Sequence, residues 1–233
     1  MKAYSSLAYS YDKFTYDVPY DEFLKYYKEQ FNKTEGEFKL ILDLCCGTGT
    51  ITKLLYDEGY DVIAVDASED MLMMAREKVP EALFICQDAT ELDLYGTVDA
   101  CISSLDSINY IDPKNFPKVL ERLNLFVRPG GVFIMDIRTD KFLRRMDGYI
   151  SVDETEDTLC MWRGDFDQDE EALYYTVDIF SKVKSFWDRN TEEHKEYVYS
   201  VDYIKEQLER FEFRISDITE KNERIFISCV KSD

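Results

Sequence analysis

Asp43-Leu44-Cys45-Cys46-Gly47-Thr48-Gly49-Thr50 sets an acid and two closely spaced glycines between an apolar run and an amphipathic one. Glycines at 47 and 49 let the backbone turn tightly and approach a ligand with no Cβ in the way. Where a strand meets a helix in a doubly wound sheet, such a loop lies at the edge that binds nucleotide-like ligands. A lone G-x-G says little by itself. Asp66 closes the next apolar run, 19 residues after Gly47, where an acid can accept bonds from both hydroxyls of a ribose. Gln87-Asp88-Ala89 ends a third run, where a carboxylate can accept a bond from an adenine amino group. Ser103-Ser104-Leu105-Asp106-Ser107-Ile108-Asn109-Tyr110 follows a fourth. Four run ends converging on one crevice predict a ligand site.

The same residues weigh against other nucleotides. A nicotinamide fingerprint needs Gly or Ala three places after the second glycine, and Thr52 stands there. No P-loop lysine follows the glycines. One histidine, His194, and no C-x-x-C pair exclude an imidazole- or thiolate-rich metal site, so no metal is expected. His194 is the candidate general base, with an exposed or structural histidine as its alternative. Seven of the seventeen tyrosines, at 4, 9, 11, 16, 20, 26 and 27, fall early in the chain. They read either as a helix packed on the core or as an aromatic lid, with Tyr11 best placed to close over the crevice. Aromatic faces suit a cationic ligand, at about 0.5 to 2 kcal/mol each.

The elements that must position these residues alternate between residues 38 and 137, which predicts a parallel sheet with helices on both faces. Strands are expected at 38–44, 61–66, 82–86, 98–103 and 132–137. Ser68 is the expected cap of the helix that Pro80 stops, and Gly59 that of the helix carrying Ile51, Leu54 and Leu55. Asp112 with Pro113 is expected to open a helix whose buried stripe is Phe116, Val119, Leu120, Leu123 and Phe126. Residues 149 to 200 break the rhythm. Nine acids and Arg163 as the sole base lie between Asp153 and Glu171, and 174–180 and 196–199 read as antiparallel strands with one wet face. Ser200 then caps a helix, and two strands meet at Glu220-Lys221-Asn222-Glu223.

At 233 residues the chain suits one well-buried domain. It shows no signal-peptide core and no apolar run long enough to span a bilayer, so the expected address is cytoplasmic, with no membrane partner. The six cysteines are expected to be reduced core thiols. The net charge is −20, from 28 bases against 48 acids. Free nucleic acid, which is bound through neutralised phosphates, would be repelled; a neutral or cationic small molecule would not.

In their order and spacing, L-D-L-C-C-G-T-G-T, V-D-A-S-E-D-M-L at 65–72, F-I-C-Q-D-A-T at 84–90 and R-P-G-G-V-F-I-M-D at 128–136 resemble successive motifs of class I S-adenosylmethionine-dependent methyltransferases. Tyr9-Ser10-Tyr11-Asp12-Lys13-Phe14, Asp17-Val18-Pro19-Tyr20 and the loop 105–110 are similar to a bacterial small-molecule branch. The resemblance implies an α/β, Rossmann-like, seven-stranded and mostly parallel sheet of order 3-2-1-4-5-7-6. It implies S-adenosylmethionine as cofactor, with Asp43, Gly47 and Gly49 around the methionine moiety, Asp66 on the ribose, Met71 near the adenine, and Asp88 with Ala89 on the adenine edge. Ala67 and Leu105 would complete that wall, with Tyr11 over the methionine end. The asparagine-proline-proline-tyrosine motif of amino-methylating nucleic-acid enzymes is absent after the fourth strand.

Residues 1–30 are thus expected to form aromatic lid helices, 31–148 and 201–233 the core, and 149–200 a β-rich cap over the site. In-line methyl transfer asks the protein mainly for alignment, which supplies about 7 to 11 kcal/mol in ideal cases, and for a base worth about 10² to 10⁴ where the nucleophile is protonated. The leading expectation is methylation of a small, neutral or cationic acceptor. Methylation of RNA or protein, and binding of the cofactor without transfer, are the alternatives. A polar pocket beside the methyl favours an enzyme, a plugged one a sensor.

Overall fold

The computed structural model describes residues 7–232. Two helices come first, α1 (Ala8–Phe14) and α2 (Tyr20–Lys33). There follow β1 (Leu40–Leu44), α3 (Thr50–Asp57), β2 (Asp61–Asp66), α4 (Glu69–Lys78), β3 (Leu83–Cys86), β4 (Val98–Ser103), α5 (Phe116–Phe126) and β5 (Val127–Arg138). A short α6 (Asp140–Arg145) leads into β6 (Ile150–Glu154), β7 (Thr158–Asp167), β8 (Ala172–Val183) and β9 (Phe186–Tyr197). The chain ends with α7 (Val201–Arg210), β10 (Phe213–Lys221) and β11 (Arg224–Lys231).

The main sheet has the order β10-β11-β5-β4-β1-β2-β3, with β10 and β11 antiparallel at one edge. This is the expected order, with the last two strands exchanged in space relative to the chain. Alternation along its strands supplies two buried faces. Leu42, Leu44, Phe133 and Met135 pack with α5 and α7, whereas Ile41, Ile102, Val132 and Ile134 pack with Phe23, Tyr27 and Phe31 of α2 and Ile51 and Leu55 of α3. Strands β6 to β9 form a separate antiparallel sheet.

Several boundaries depart from the sequence reading. Asp112 caps a turn, its Oδ1 accepting from the Lys114 amide at 2.9 Å, and α5 begins only at Phe116 with a proline in its first turn. Its stripe is buried at Phe116, Val119, Leu120 and Leu123, while Phe126 is half-buried. The R-P-G-G segment belongs to β5, which starts at Val127 and shifts register against β4 by a bulge. A Cβ on Gly131 would lie 2.8 Å from the Asp99 carbonyl, so the bulge needs a glycine there. Cys101, Cys160 and Cys229 are buried, Cys45 and Cys46 are half-buried, and Cys86 is exposed because β3 is the sheet edge. Among the described residues no helix is long and apolar enough to cross a membrane.

Candidate functional site

The ends of β1, β2, β3 and β4 surround a cavity of ≈ 380 Å³. It is walled by Asp43, Gly47, Asp66, Ala67, Met71, Asp88, Ala89 and Leu105, together with Tyr11 and Tyr20 from the N-terminal segment. The loop after β1 turns through left-handed residues at Cys45 (φ 60°), Gly47 (φ 54°) and Gly49 (φ 77°). Gly47 lies on the wall with open space where a Cβ would project. Gly49 is placed differently. It does not line the cavity, and a Cβ there would meet the Ala75 Cβ at 2.9 Å, so its bareness lets α4 pack against the loop.

Backbone amides aim the acid at the end of β2. The Gly47 amide donates to Oδ2 of Asp66 at 2.9 Å and the Ser68 amide to Oδ1 at 2.8 Å. Ser68 caps α4 as expected, accepting from the Met71 amide. Asp88 accepts at Oδ1 from the Thr90 amide and hydroxyl, which fixes the start of a single 3₁₀ turn over Ala89–Glu91. Asp43 is fully buried in effect, and the hydroxyl of Thr52 donates to its Oδ2 at 2.6 Å. Burial, reinforced by nearby Asp66, pushes the Asp43 carboxyl up to about 7 despite that bond. Thr52 therefore has a task at the position where a dinucleotide fold places its third glycine.

The N-terminal helix is tied to this loop by one ammonium. Lys78 of α4 pairs with Asp12 at 2.7 Å and donates to Thr48 at 3.1 Å and Thr50 at 2.8 Å, while Thr48 donates to Asp12 at 2.6 Å. Tyr11 is thereby held on the cavity wall, and its other side packs with Leu7 and with Cys160, Val177 and Ile179 of the second sheet. Burial raises its phenol well above the ordinary range. The early tyrosines divide. Tyr11 and Tyr20 reach the cavity, Tyr26 and Tyr27 are anchored to Asp217 and Ser104, and Tyr9 and Tyr16 are exposed. Tyr4 lies outside the described residues.

Beyond Leu105, outside the cavity lining, lies an ionic cluster. Leu105 and Asp106 both have φ of 56°, a conformation non-glycine residues resist. It is held by Asp136 at the end of β5, which accepts from their two amides at 2.8 and 3.1 Å. Arg224, at the start of β11, pairs with Asp136 at 2.6 Å and with Asp106; Arg138 pairs with Asp106 at 3.3 Å. Sequence reasoning passed over Asp136 and Arg224. The available signal was a charge beside a run of apolar strand residues in each case, after Val132–Met135 and before Ile225–Ile227.

None of the cavity-lining residues comes from 149–200. The second sheet reaches the site at one remove, through the 3₁₀ turn Ser107–Tyr110, where Asn109 donates to the Tyr197 carbonyl at 2.9 Å. His194 sits behind the wall. It is buried on β9, its ring edge-on to Tyr110 with centroids 6.1 Å apart, and Glu192 lies 3.4 Å from its Nε2. Tyr110 itself lines the cavity.

A family model described as a methyltransferase domain matches residues 41–131, the stretch that supplies most of this wall. A protein of Bacillus subtilis (strain 168) with a provisional methyltransferase name, YqeM, is 29% identical, the alignment covering 98% of this chain and 97% of that one. A crystal structure of an S-adenosylmethionine-dependent methyltransferase from Clostridium acetobutylicum superposes with a TM-score of 0.86, at 27% identity and complete coverage of both chains. The sugar N-methyltransferase KedS8 from Streptoalloteichus shares the fold, with a TM-score of 0.86 at 16% identity over 97% of this chain and 93% of its own.

Proposed function

We propose, from the premise that this chain belongs to the class I S-adenosylmethionine-dependent methyltransferases, that it methylates a small neutral or cationic acceptor which reaches the cavity from the side of α1 and the second sheet. The observation that carries this reading is the convergence of Asp43, Gly47, Asp66, Met71 and Asp88 on one cavity. The residues fit the donor. Two amides leave the Asp66 carboxylate aimed so that its remaining lone pairs can accept a ribose diol, and Gly47 removes a side chain from that approach. Asp88 with Ala89 suits the adenine edge, with Met71 and Ala67 against the ring. Asp43 faces the methionine end, where a cation is bound. Gly49 supports the loop from outside. Bound there, S-adenosylmethionine supplies an already activated methyl group.

The chain's own residues then have two tasks. Tyr11, Tyr20 and Leu105 exclude water and align the acceptor, and alignment is the larger part of what such a reaction needs. The cap is read in the same way: residues 149–200 brace the wall through Tyr110 and hold α1 from behind, so they shape the acceptor side without touching the donor. The acidic surface, at −20 overall, supports a small acceptor over free nucleic acid. The name of KedS8 is consistent with a small acceptor.

Calorimetry tests the reading. S-adenosylmethionine and S-adenosylhomocysteine should both bind with one site per chain, and NAD should not. Comparable NAD binding would overturn it.

A further inference from the structure

An alternating strand with one buried face should bury apolar side chains. Strand β9 instead buries Glu192, His194 and Glu196 in succession. The last of these is the least expected. Glu196 is 4% exposed, and its Oε2 has no hydrogen-bond partner. The groups facing it come from every neighbouring element. They are Tyr110 and Asp106 from the loop after β4, Arg138 from β5, Arg224 from β11, Tyr175 from β8, and on its own strand His194. Asp136 lies behind Asp106, sharing Arg224 with it.

Charge does not balance in this group. Asp106, Asp136 and Glu196 are three carboxyls, and Arg138 and Arg224 are two guanidiniums. Both guanidiniums are committed to Asp106 or Asp136. One buried carboxyl is therefore left without a cation, and in a low-dielectric setting that is costly unless it takes a proton or meets a positive ligand. Glu196 shows the strain. Burial first, and Asp106 second, push its carboxyl up to about 8, although Arg138, Arg224 and a bond from Tyr110 pull the other way.

We propose that Tyr110 and Glu196 work as one unit that recognises an amine on the acceptor, with the Tyr110 hydroxyl meeting the amine at the cavity wall and Glu196 behind it supplying the uncompensated negative charge. This rests on the methyltransferase reading and narrows its acceptor to a nitrogen nucleophile. An ammonium cannot attack until it loses a proton. Here an N–H bond breaks as Tyr110 Oη takes the proton, and the phenol's own proton moves to Glu196, leaving a neutral amine, a neutral phenol and a neutral carboxyl. A proton acceptor tuned near ambient pH suits that step. His194 acts only through its ring packing on Tyr110, as a positioning residue.

The probe is ethylammonium chloride, with ethanol as its uncharged match, added to the full chain saturated with S-adenosylhomocysteine. Side-chain carbon shifts of labelled glutamate give the titration of Glu196, assigned by loss of its signal in Glu196→Gln, or in Glu196→Asp if the first does not fold. Glu196 should titrate near the value above. Ethylammonium should lower it by about one unit or more and ethanol should not, because only an opposite charge nearby favours the ionised form. Tyr110→Phe should remove most of the ethylammonium shift. Titration of Glu196 in the ordinary carboxylate range, or a response indifferent to ethylammonium, or a shift that persists in Tyr110→Phe, overturns the proposal. Calorimetric binding of S-adenosylhomocysteine by the same sample separates the outcomes: its failure would sink the methyltransferase reading, whereas Glu196 titrates regardless.

Discussion

The two sheets stand to the cavity in opposite ways, one forming its wall and the other lying behind that wall. The parallel sheet presents backbone: amides of Gly47 and Ser68, the bare Cα of Gly47, and the acid at the end of β2 aimed by those amides. Its interior is largely apolar, broken by Asp43 and by the Asp136–Arg224 pair. The antiparallel sheet presents buried charge. Asp178 is held there by Arg163 at 2.6 Å, Arg189 at 2.7 Å and Thr191 at 2.6 Å, and Glu192, His194 and Glu196 line the inward face of the next strand. A ligand shared by a whole family can be recognised by main chain and glycine, which tolerate drift elsewhere. A ligand particular to one protein is recognised by side chains, whose burial is costly and must be balanced.

The contrast can be broken most severely at Asp66. Asp66→Ala removes the acceptor of two loop amides and the proposed ribose contacts together, so donor affinity should fall by about a hundredfold or more in calorimetry. Donor binding within a few-fold of the parent would mean that the parallel sheet does not hold the nucleoside. Asp43 gives the next largest effect. Its carboxyl, raised to about 7 by burial, is mostly neutral below that pH and charged above it. Affinity for the cationic methionine end should therefore climb about tenfold between about pH 6 and 8, and Asp43→Asn should flatten the rise. The sign for folding is reversed. Since the folded form binds the proton more tightly, the ligand-free protein loses stability as pH rises from the unfolded carboxyl's range through about 7, and Asp43→Asn should remove that slope from its thermal unfolding.

Much of the parallel sheet was legible because its signals are local. Strand alternation, the glycine loop and Ser68 as a cap each lie within a few residues of what they determine. Asp66, Asp88 and Asp43 were visible for the same reason. The Thr52 latch on Asp43 was not, since a threonine one helical turn into α3 looks like any other. The ionic cluster behind Leu105 was the least legible. Asp136 and Arg224 stand 88 positions apart, and neither alternation nor spacing says that they meet. Strand β9 does have one wet face, but which one was not legible: acids occur on both faces of that strand, so polarity cannot report which face is buried. Gly49 shows a subtler limit. A missing Cβ serves ligand approach and helix packing equally well, and only the nearness of Ala75 separates them.

Smaller effects sharpen the comparison. Tyr11→Ala should weaken donor binding by about three- to tenfold, through lost packing and a lost aromatic face beside a cation. A change of donor affinity after His194→Ala beyond about twofold would contradict the separation of the two sheets' tasks, because that ring lies behind Tyr110 and off the cavity wall. At the bottom of the scale, a gel shift with tRNA at low salt should show no complex, since screening is least there and repulsion from a surface of charge −20 is strongest. Micromolar, salt-sensitive binding would overturn that exclusion.

The Lys78 junction carries a kinetic consequence. One ammonium on α4 joins Asp12 of the N-terminal helix to two threonines of the glycine loop, and the pair is partly exposed, with side chains at 26% and 40%. On the proposed placement of the donor, with Tyr11 over its methionine end, the ligand would leave only when that helix parts from the loop, so its residence time would include the opening of this junction. Salt weakens a partly exposed ion pair more readily than a buried one. Raising ionic strength should therefore hasten exchange of the spent product and shorten the interval between turnovers wherever release, rather than chemistry, sets the pace.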